Sequence, residues 1–136
     1  YEISSFAREG KRARHNSLYW RRAPYLGFGA AAHSFYAGRR FSAPPDFGGF
    51  LKAVEAPGPF PGTDYETAVP LSAEEAREEA LLLGLRTADG VAPARAGSKN
   101  LQPLYDAGLL RRTAAGNIAL TERGYRVSNS VIAYLL

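Results

Sequence analysis

The side chains best equipped to hold a ligand lie within six residues of one another. An imidazole, an amide, a phenol and the only tryptophan of the chain follow in the order His15, Asn16, Tyr19 and Trp20. An imidazole can coordinate a metal ion, and aromatic rings stack on flat apolar molecules. These residue types favour a flat aromatic ligand, with or without a metal.

Arginines flank this segment on both sides, at Arg12, Arg14, Arg21 and Arg22. Guanidiniums can bind carboxylates through two parallel hydrogen bonds, so the ligand would carry negative groups. A purely structural interpretation is also open. One histidine is weak evidence for a metal site, and the segment equally suits buried aromatic rings, a histidine in a turn and a solvated basic face.

The composition fits one ordinary domain, or two small ones, because 46% of the 136 residues are hydrophobic and 22% are charged. The charge is uneven. Residues 1–40 hold eight Lys or Arg against two Glu, whereas the other 96 residues have a net charge of −2. A local positive field attracts phosphates, carboxylates or nucleic acid, although such clusters often only aid solubility.

The absence of cysteine excludes disulfides, and also cysteine-ligated zinc or iron–sulfur sites within these residues. No apolar run approaches the roughly 20 residues that a membrane-spanning helix needs, and no signal pattern opens the chain. We therefore expect no transmembrane segment and a cytoplasmic location. The chain starts at Tyr1 and contains no methionine, so we expect a piece of a longer protein.

Two strands are predicted near the N-terminus, at residues 1–7 and at residues 25–29, where a glycine turn follows. Residues 41–70 hold six of the nine prolines and read as a linker. Only residues 47–56 within that linker suit a short helix.

The remaining residues, 71–136, predict a winged-helix-like domain, which makes the fold class α+β. A capping box at Ser72–Glu75 marks the start of a helix. The elements expected after it are a helix at residues 99–107, a two-stranded wing at residues 109–112 and 118–120, and a last helix from Thr121 or Glu122 to the end.

Winged helices often bind DNA, but the charge of this one argues against it. Residues 66–136 hold eight basic and eight acidic side chains, and the candidate recognition helix offers only Lys99. Phosphate binding needs clustered Lys and Arg, so we expect no nucleic-acid partner.

Several motifs, in order, resemble those of the HemW family. They lie at residues 1–7, 14–20, 25–34, 83–91 and 107–124, and cover nearly the whole chain. HemW proteins are radical-SAM haem chaperones related to oxygen-independent coproporphyrinogen III oxidase. The resemblance implies that the chain corresponds to the C-terminal portion of such a protein.

The family's haem-binding motif His-Asn-x-x-Tyr-Trp falls on His15, Asn16, Tyr19 and Trp20. The resemblance implies that His15 is the iron ligand. An axial imidazole suits haem iron, and Asn16 would orient it through a hydrogen bond.

Other site residues follow from the same resemblance. Arg21 and Arg22 are predicted to bind the haem propionates, and Phe6 and Ala7 to line the S-adenosylmethionine pocket. His33 is an alternative second ligand, but a structural histidine is the favoured interpretation there.

The implied domains are the C-terminal edge of a partial β/α radical-SAM barrel at residues 1–40, the linker at 41–70 and the winged-helix-like domain at 71–136. The family's three-cysteine motif is absent, so S-adenosylmethionine and the 4Fe–4S cluster belong to the parent protein and this fragment alone is not an enzyme.

Three functions stay open at this point. The parent either binds haem and delivers it to acceptor proteins, or decarboxylates coproporphyrinogen III by radical chemistry, or carries the winged helix as an interaction module. The haem-binding motif favours the chaperone.

Overall fold

In the computed structural model, which describes residues 1–136, the chain forms six α-helices and four short strands. The helices are α1 (Arg14–Trp20), α2 (Phe47–Val54), α3 (Ala73–Leu85), α4 (Gln102–Asp106), α5 (Glu122–Arg126) and α6 (Ser128–Leu135), with a 3₁₀-helix at Pro93–Ala96. The strands are β1 (His33–Tyr36), β2 (Arg39–Ser42), β3 (Leu110–Arg112) and β4 (Ile118–Leu120). This content confirms the α+β class. None of the helices is both long and apolar enough to cross a bilayer.

The chain divides into two compact units, and their boundaries differ from the three expected segments. The first unit joins Tyr1–Arg22 to Glu74–Leu136, and the second is Ala23–Ala73. The N-terminal residues that carry the candidate motif thus belong with the C-terminal elements. The proline-rich residues 41–70 contain α2 and lie within the second unit.

The first unit is built around the buried side chains of α3, β4 and α6. Leu81 and Leu85 lie four residues apart on α3 and are fully buried, as residues on one helix face are expected to be. They share a core with Ile118 and Leu120 of β4 and with Leu135 of α6. The predicted helix after Ser72 and the predicted β3–β4 hairpin are both confirmed.

Two predicted helices differ in extent. The helix expected at residues 99–107 is shorter, because α4 begins only at Gln102 with Pro103 in its first turn, where a missing N–H costs nothing. The last helix is interrupted at Val127, whose backbone (φ −121°, ψ 25°) separates α5 from α6. Thr121 caps α5 through a 3.0 Å hydrogen bond that its Oγ1 accepts from the Gly124 N–H.

The second unit consists of the β1–β2 hairpin, α2 and a group of aromatic rings. The hairpin is antiparallel, and both residues of its turn, Ala37 and Gly38, have positive φ, which suits a tight two-residue connection. Asp46 starts α2 by accepting a 2.6 Å hydrogen bond from the Gly49 N–H. The aromatic contacts join Tyr36, Phe41, Phe60 and Tyr65.

The two predicted N-terminal strands are wrong. Residues 1–7 form only isolated bridges, because the backbones of Glu2 and Ser5 bond each other and close a tight turn. Tyr25 pairs with Phe35 alone, and residues 26–29 form no strand. Outside the turn each segment pairs with a distant residue at one position only, Glu2 with Thr87 and Tyr25 with Phe35, whereas a strand needs a longer run of paired residues.

Candidate functional site

The candidate ligand-binding residues lie on α1, a helix of two turns. Ala13 precedes it in an extended conformation without a side-chain cap, and the Ser17 hydroxyl donates a 2.9 Å hydrogen bond to the Ala13 carbonyl. The helix ends just before Arg22, whose φ of 57° is left-handed and cannot continue a right-handed helix. With so few residues, α1 depends on contacts with the rest of the first unit.

His15 and Tyr19 form a pair on the exposed side of α1. They are four residues apart, which places them one above the other on a helix. His15 Nε2 lies 2.8 Å from Tyr19 Oη, and the two rings meet edge to face with centroids 5.0 Å apart. Both residues are exposed, so an imidazole and a phenol are presented together to solvent.

Asn16 and Trp20 form a second pair, four residues apart on another side of the same helix. The Asn16 Nδ2 donates a 3.3 Å hydrogen bond to the Tyr1 hydroxyl, and Trp20 is partly buried. The Arg86 guanidinium lies 5.9 Å from the centroid of the Trp20 ring. These two residues hold α1 against the first unit.

The resemblance predicts that Asn16 orients His15 through a hydrogen bond, but in the structure Asn16 bonds to Tyr1 instead. The side chain of Tyr19, not that of Asn16, meets the His15 ring. Adjacent residues of a helix point about 100° apart, whereas residues four apart share a face.

Three of the four arginines around α1 have carboxylate partners. Arg12 and Arg21 contact the two oxygens of Asp89 at 2.6 and 3.5 Å, and Arg22 Nε contacts Glu79 at 2.5 Å. Arg12 thus connects one end of the motif to the C-terminal part of the first unit, and the predicted propionate partners Arg21 and Arg22 connect the other end. Arg14 is exposed.

The pKa of Asp89 is lowered by the hydrogen bond from Arg12, against a smaller opposing effect of partial burial. Because its pKa is lower in the folded chain, the ionised Asp89 carboxylate stabilises the fold. This contribution is complete above the pKa of an unfolded Asp, about 3.9, and disappears as the pH falls through the lower pKa of the folded chain.

We therefore expect Asp89→Asn to lower the urea midpoint at pH 7. The difference from the unsubstituted chain should shrink in acid below about pH 4, and a constant difference between pH 7 and pH 2.5 would contradict the ion-pair explanation.

A cavity of about 370 Å³ lies within the first unit beside α1. Its wall includes Trp20 and the small residues Ala80 and Gly84 of α3. Gly84 allows close packing there, because a Cβ at this position would collide with Cγ1 of Val91. The charged lining residues are Arg12, Arg21, Arg22, Arg95 and Asp89.

The other predicted site residues lie apart from these contacts. Phe6 is 90% exposed and Ala7 is exposed, in a segment that forms neither helix nor strand. His33 belongs to the second unit, where it is exposed at the start of β1 and pairs with Ser42. No group of three or more potential ligating residues could hold a metal ion by itself, so a metal would have to bring most of its own ligands.

Comparison with known proteins identifies the family. The chain is 31% identical over its whole length to "Heme chaperone HemW" of Bacillus subtilis, and 40% identical over 104 residues to the protein of the same name from Synechocystis sp.. It belongs to the HemW-like family. It is also 35% identical over 101 residues to the mitochondrial radical S-adenosyl methionine domain-containing protein 1 of Bos taurus.

This HemW-like chain spans only part of the length of those relatives. It covers 38% of the Bacillus subtilis protein, 24% of the Synechocystis protein and 22% of the Bos taurus protein, and the aligned parts include 100%, 74% and 67% of this chain. No family model and no solved structure matches it.

Sequence reasoning on this HemW-like chain missed Asp89 and Glu79, which hold the arginines, and Arg95, which lines the cavity. All three lie more than 50 residues from α1 in sequence. No local motif marks them, because their proximity to α1 depends on the tertiary fold.

Proposed function

We propose that the chain is the haem-binding part of a radical-SAM haem chaperone that delivers haem to acceptor proteins. The observation that carries this proposal is the exposed His15–Tyr19 pair on a helix whose other side is held by Asn16 and Trp20. The names of the relatives point the same way. Haem is here the cargo, bound for transfer.

The pair suits haem because the porphyrin supplies four of the iron's ligands, so that one imidazole is enough to complete an axial position. His15 Nε2 is engaged by Tyr19 Oη, and coordination through this nitrogen requires the phenol to swing away. A ligand on the protein surface is only partly enclosed. An open site of this kind releases its cargo more readily than a deep pocket, as delivery demands.

The finer domain assignments belong to the same proposal. Residues 1–40 would complete the edge of a partial β/α barrel, with Phe6 and Ala7 near S-adenosylmethionine. The order of helices α3 and α4, the β3–β4 wing and helices α5 and α6 supports a winged-helix-like domain at residues 71–136.

Haem titration and transfer test this function. Addition of ferric haem to the chain should give a Soret band that saturates at one haem per chain. On mixing with apomyoglobin, the band should move to that of myoglobin within minutes. Failure to saturate at one equivalent would contradict haem binding, and retention of haem in the presence of excess apomyoglobin would contradict delivery.

The chain by itself is expected to assemble no iron–sulfur cluster. Cluster irons need thiolate ligands, and the chain has no cysteine. Anaerobic incubation with iron and sulfide, followed by desalting, should leave no broad visible absorbance. A stoichiometric chromophore would show that other residues can replace the thiolates.

A further inference from the structure

The cavity beside α1 is strongly basic. Four guanidiniums line it, from Arg12, Arg21, Arg22 and Arg95, and Asp89 is the only acidic residue in its wall. All of these residues belong to the first unit. Such a concave site attracts anions, because its walls exclude part of the solvent that would otherwise screen the charges.

The Asp89 carboxylate already occupies part of this basic site. It lies between two guanidiniums, with Oδ1 2.6 Å from Arg12 and Oδ2 3.5 Å from Arg21. The side chain of Asp89 is 48% exposed and that of Arg21 is 68% exposed. Both ion pairs are open to water, so that an incoming carboxylate can compete with Asp89 for the two guanidiniums.

Two further donors at this cavity have no acceptor within the protein. The guanidinium of Arg95 makes no ion pair, although the residue lines the cavity. Trp20 also lines it, and its buried Nε1 has no hydrogen-bond partner. A buried donor without an acceptor destabilises the protein, and a ligand that supplies the acceptor recovers this loss.

We propose that this cavity is a carboxylate-binding site. An incoming carboxylate takes the place of Asp89 between Arg12 and Arg21, and Arg95 supplies the additional positive charge. The proposal rests on the proposed function for one of its two sources, a haem propionate. The other source is a free small carboxylate, and the same chemistry recognises both.

The first experiment compares haem with its dimethyl ester, whose propionates carry no charge. Haem should bind the chain about tenfold more tightly than the ester, as expected for one charge-assisted contact. Arg95→Gln should reduce this preference. Arg8→Gln is the matched control, because it removes one exposed arginine outside the cavity and should keep the preference.

The second experiment needs no haem. Trp20 is the only tryptophan, so its fluorescence reports on the cavity. Titration with glutarate should shift the emission of the chain, and should do so less in Arg95→Gln. A response to glutarate without a preference for haem over its ester assigns the site to a free carboxylate, and the reverse result assigns it to a propionate.

Asp89→Asn separates a ligand site from a merely structural ion pair. Removal of the resident carboxylate should raise the affinity for the carboxylate probe by about tenfold while lowering the melting temperature. A structural role alone predicts lower stability with no gain in affinity.

If haem and its ester bind equally and glutarate leaves Trp20 unchanged, the carboxylate site is overturned, although haem binding at His15 still stands. If haem does not bind at all, the proposed function fails and the glutarate titration alone decides the cavity.

Discussion

Replacement of His15 by Ala is expected to weaken haem binding by more than about tenfold and to shift the Soret band. Even mutation of a residue that only hydrogen-bonds to a metal ligand lowers metal affinity by about 10- to 100-fold. The imidazole is the group on α1 best suited to ligate iron, and its ring is exposed beside Tyr19. Titration of both chains with ferric haem, followed by absorbance and electron paramagnetic resonance, measures the two effects together.

His33→Ala is the matched control, because His33 is the other histidine of the chain and is also exposed. It should leave both affinity and spectrum unchanged. Arg21→Gln should weaken binding without moving the Soret band, since a guanidinium affects the propionates and not the iron. An unchanged spectrum in His15→Ala together with a changed one in His33→Ala would transfer the ligand role to His33.

The sequence indicated candidate residues for the site but not their arrangement. The motif residues were read as one group, whereas α1 separates them into the exposed pair His15 and Tyr19 and the inward pair Asn16 and Trp20. The spacing of four residues within each pair indicates this division once α1 is recognised as a helix. No cap or apolar repeat marks that helix in the sequence. It forms without them because contacts with distant residues stabilise it.

The fold was predictable where local patterns agree with burial. The capping-box sequence before α3 and the turn between β3 and β4 are local signals, and the helix and hairpin that they predict carry the core residues. Residues 1–7 show the opposite case. Their alternation favours a strand, but Glu2 and Ser5 close a turn, and the pairing onward is confined to two backbone hydrogen bonds, from the Ile3 N–H to the Arg86 carbonyl and from the Ala88 N–H to the Tyr1 carbonyl. The competition between these outcomes is decided by partners that the local sequence does not contain.

The arginines illustrate how charge patterning is informative and incomplete. The basic excess of residues 1–40 predicts a region that attracts carboxylates, and the carboxylates found beside its arginines are those of Asp89 and Glu79. The same ion pairs that hold α1 in place also occupy the groups predicted to bind propionates. If the proposed function holds, ligand binding through Arg21 competes with the anchoring of the helix and couples haem affinity to the stability of the first unit.

Replacement of Gly90 by Ala is expected to destabilise the first unit strongly. Gly90 has a φ of 65°, and a Cβ there would collide with the Ile118 carbonyl oxygen. This carbonyl accepts a 2.9 Å hydrogen bond from the Val91 N–H, so it cannot retreat without breaking the bridge between residue 91 and β4. Asp89 is the preceding residue, so a shift here also displaces the carboxylate that holds Arg12.

Gly116→Ala is the control that separates backbone strain from collision. Gly116 also has a positive φ, of 80°, but a Cβ there meets no atom within 4 Å. The left-handed conformation alone costs roughly 1–2 kcal/mol, which is the loss expected for Gly116→Ala. Gly90→Ala should lose at least twice as much in the free energy of unfolding measured with urea, because strain and collision add. Equal losses for the two variants would mean that the loop around Gly90 relaxes freely and does not fix Asp89.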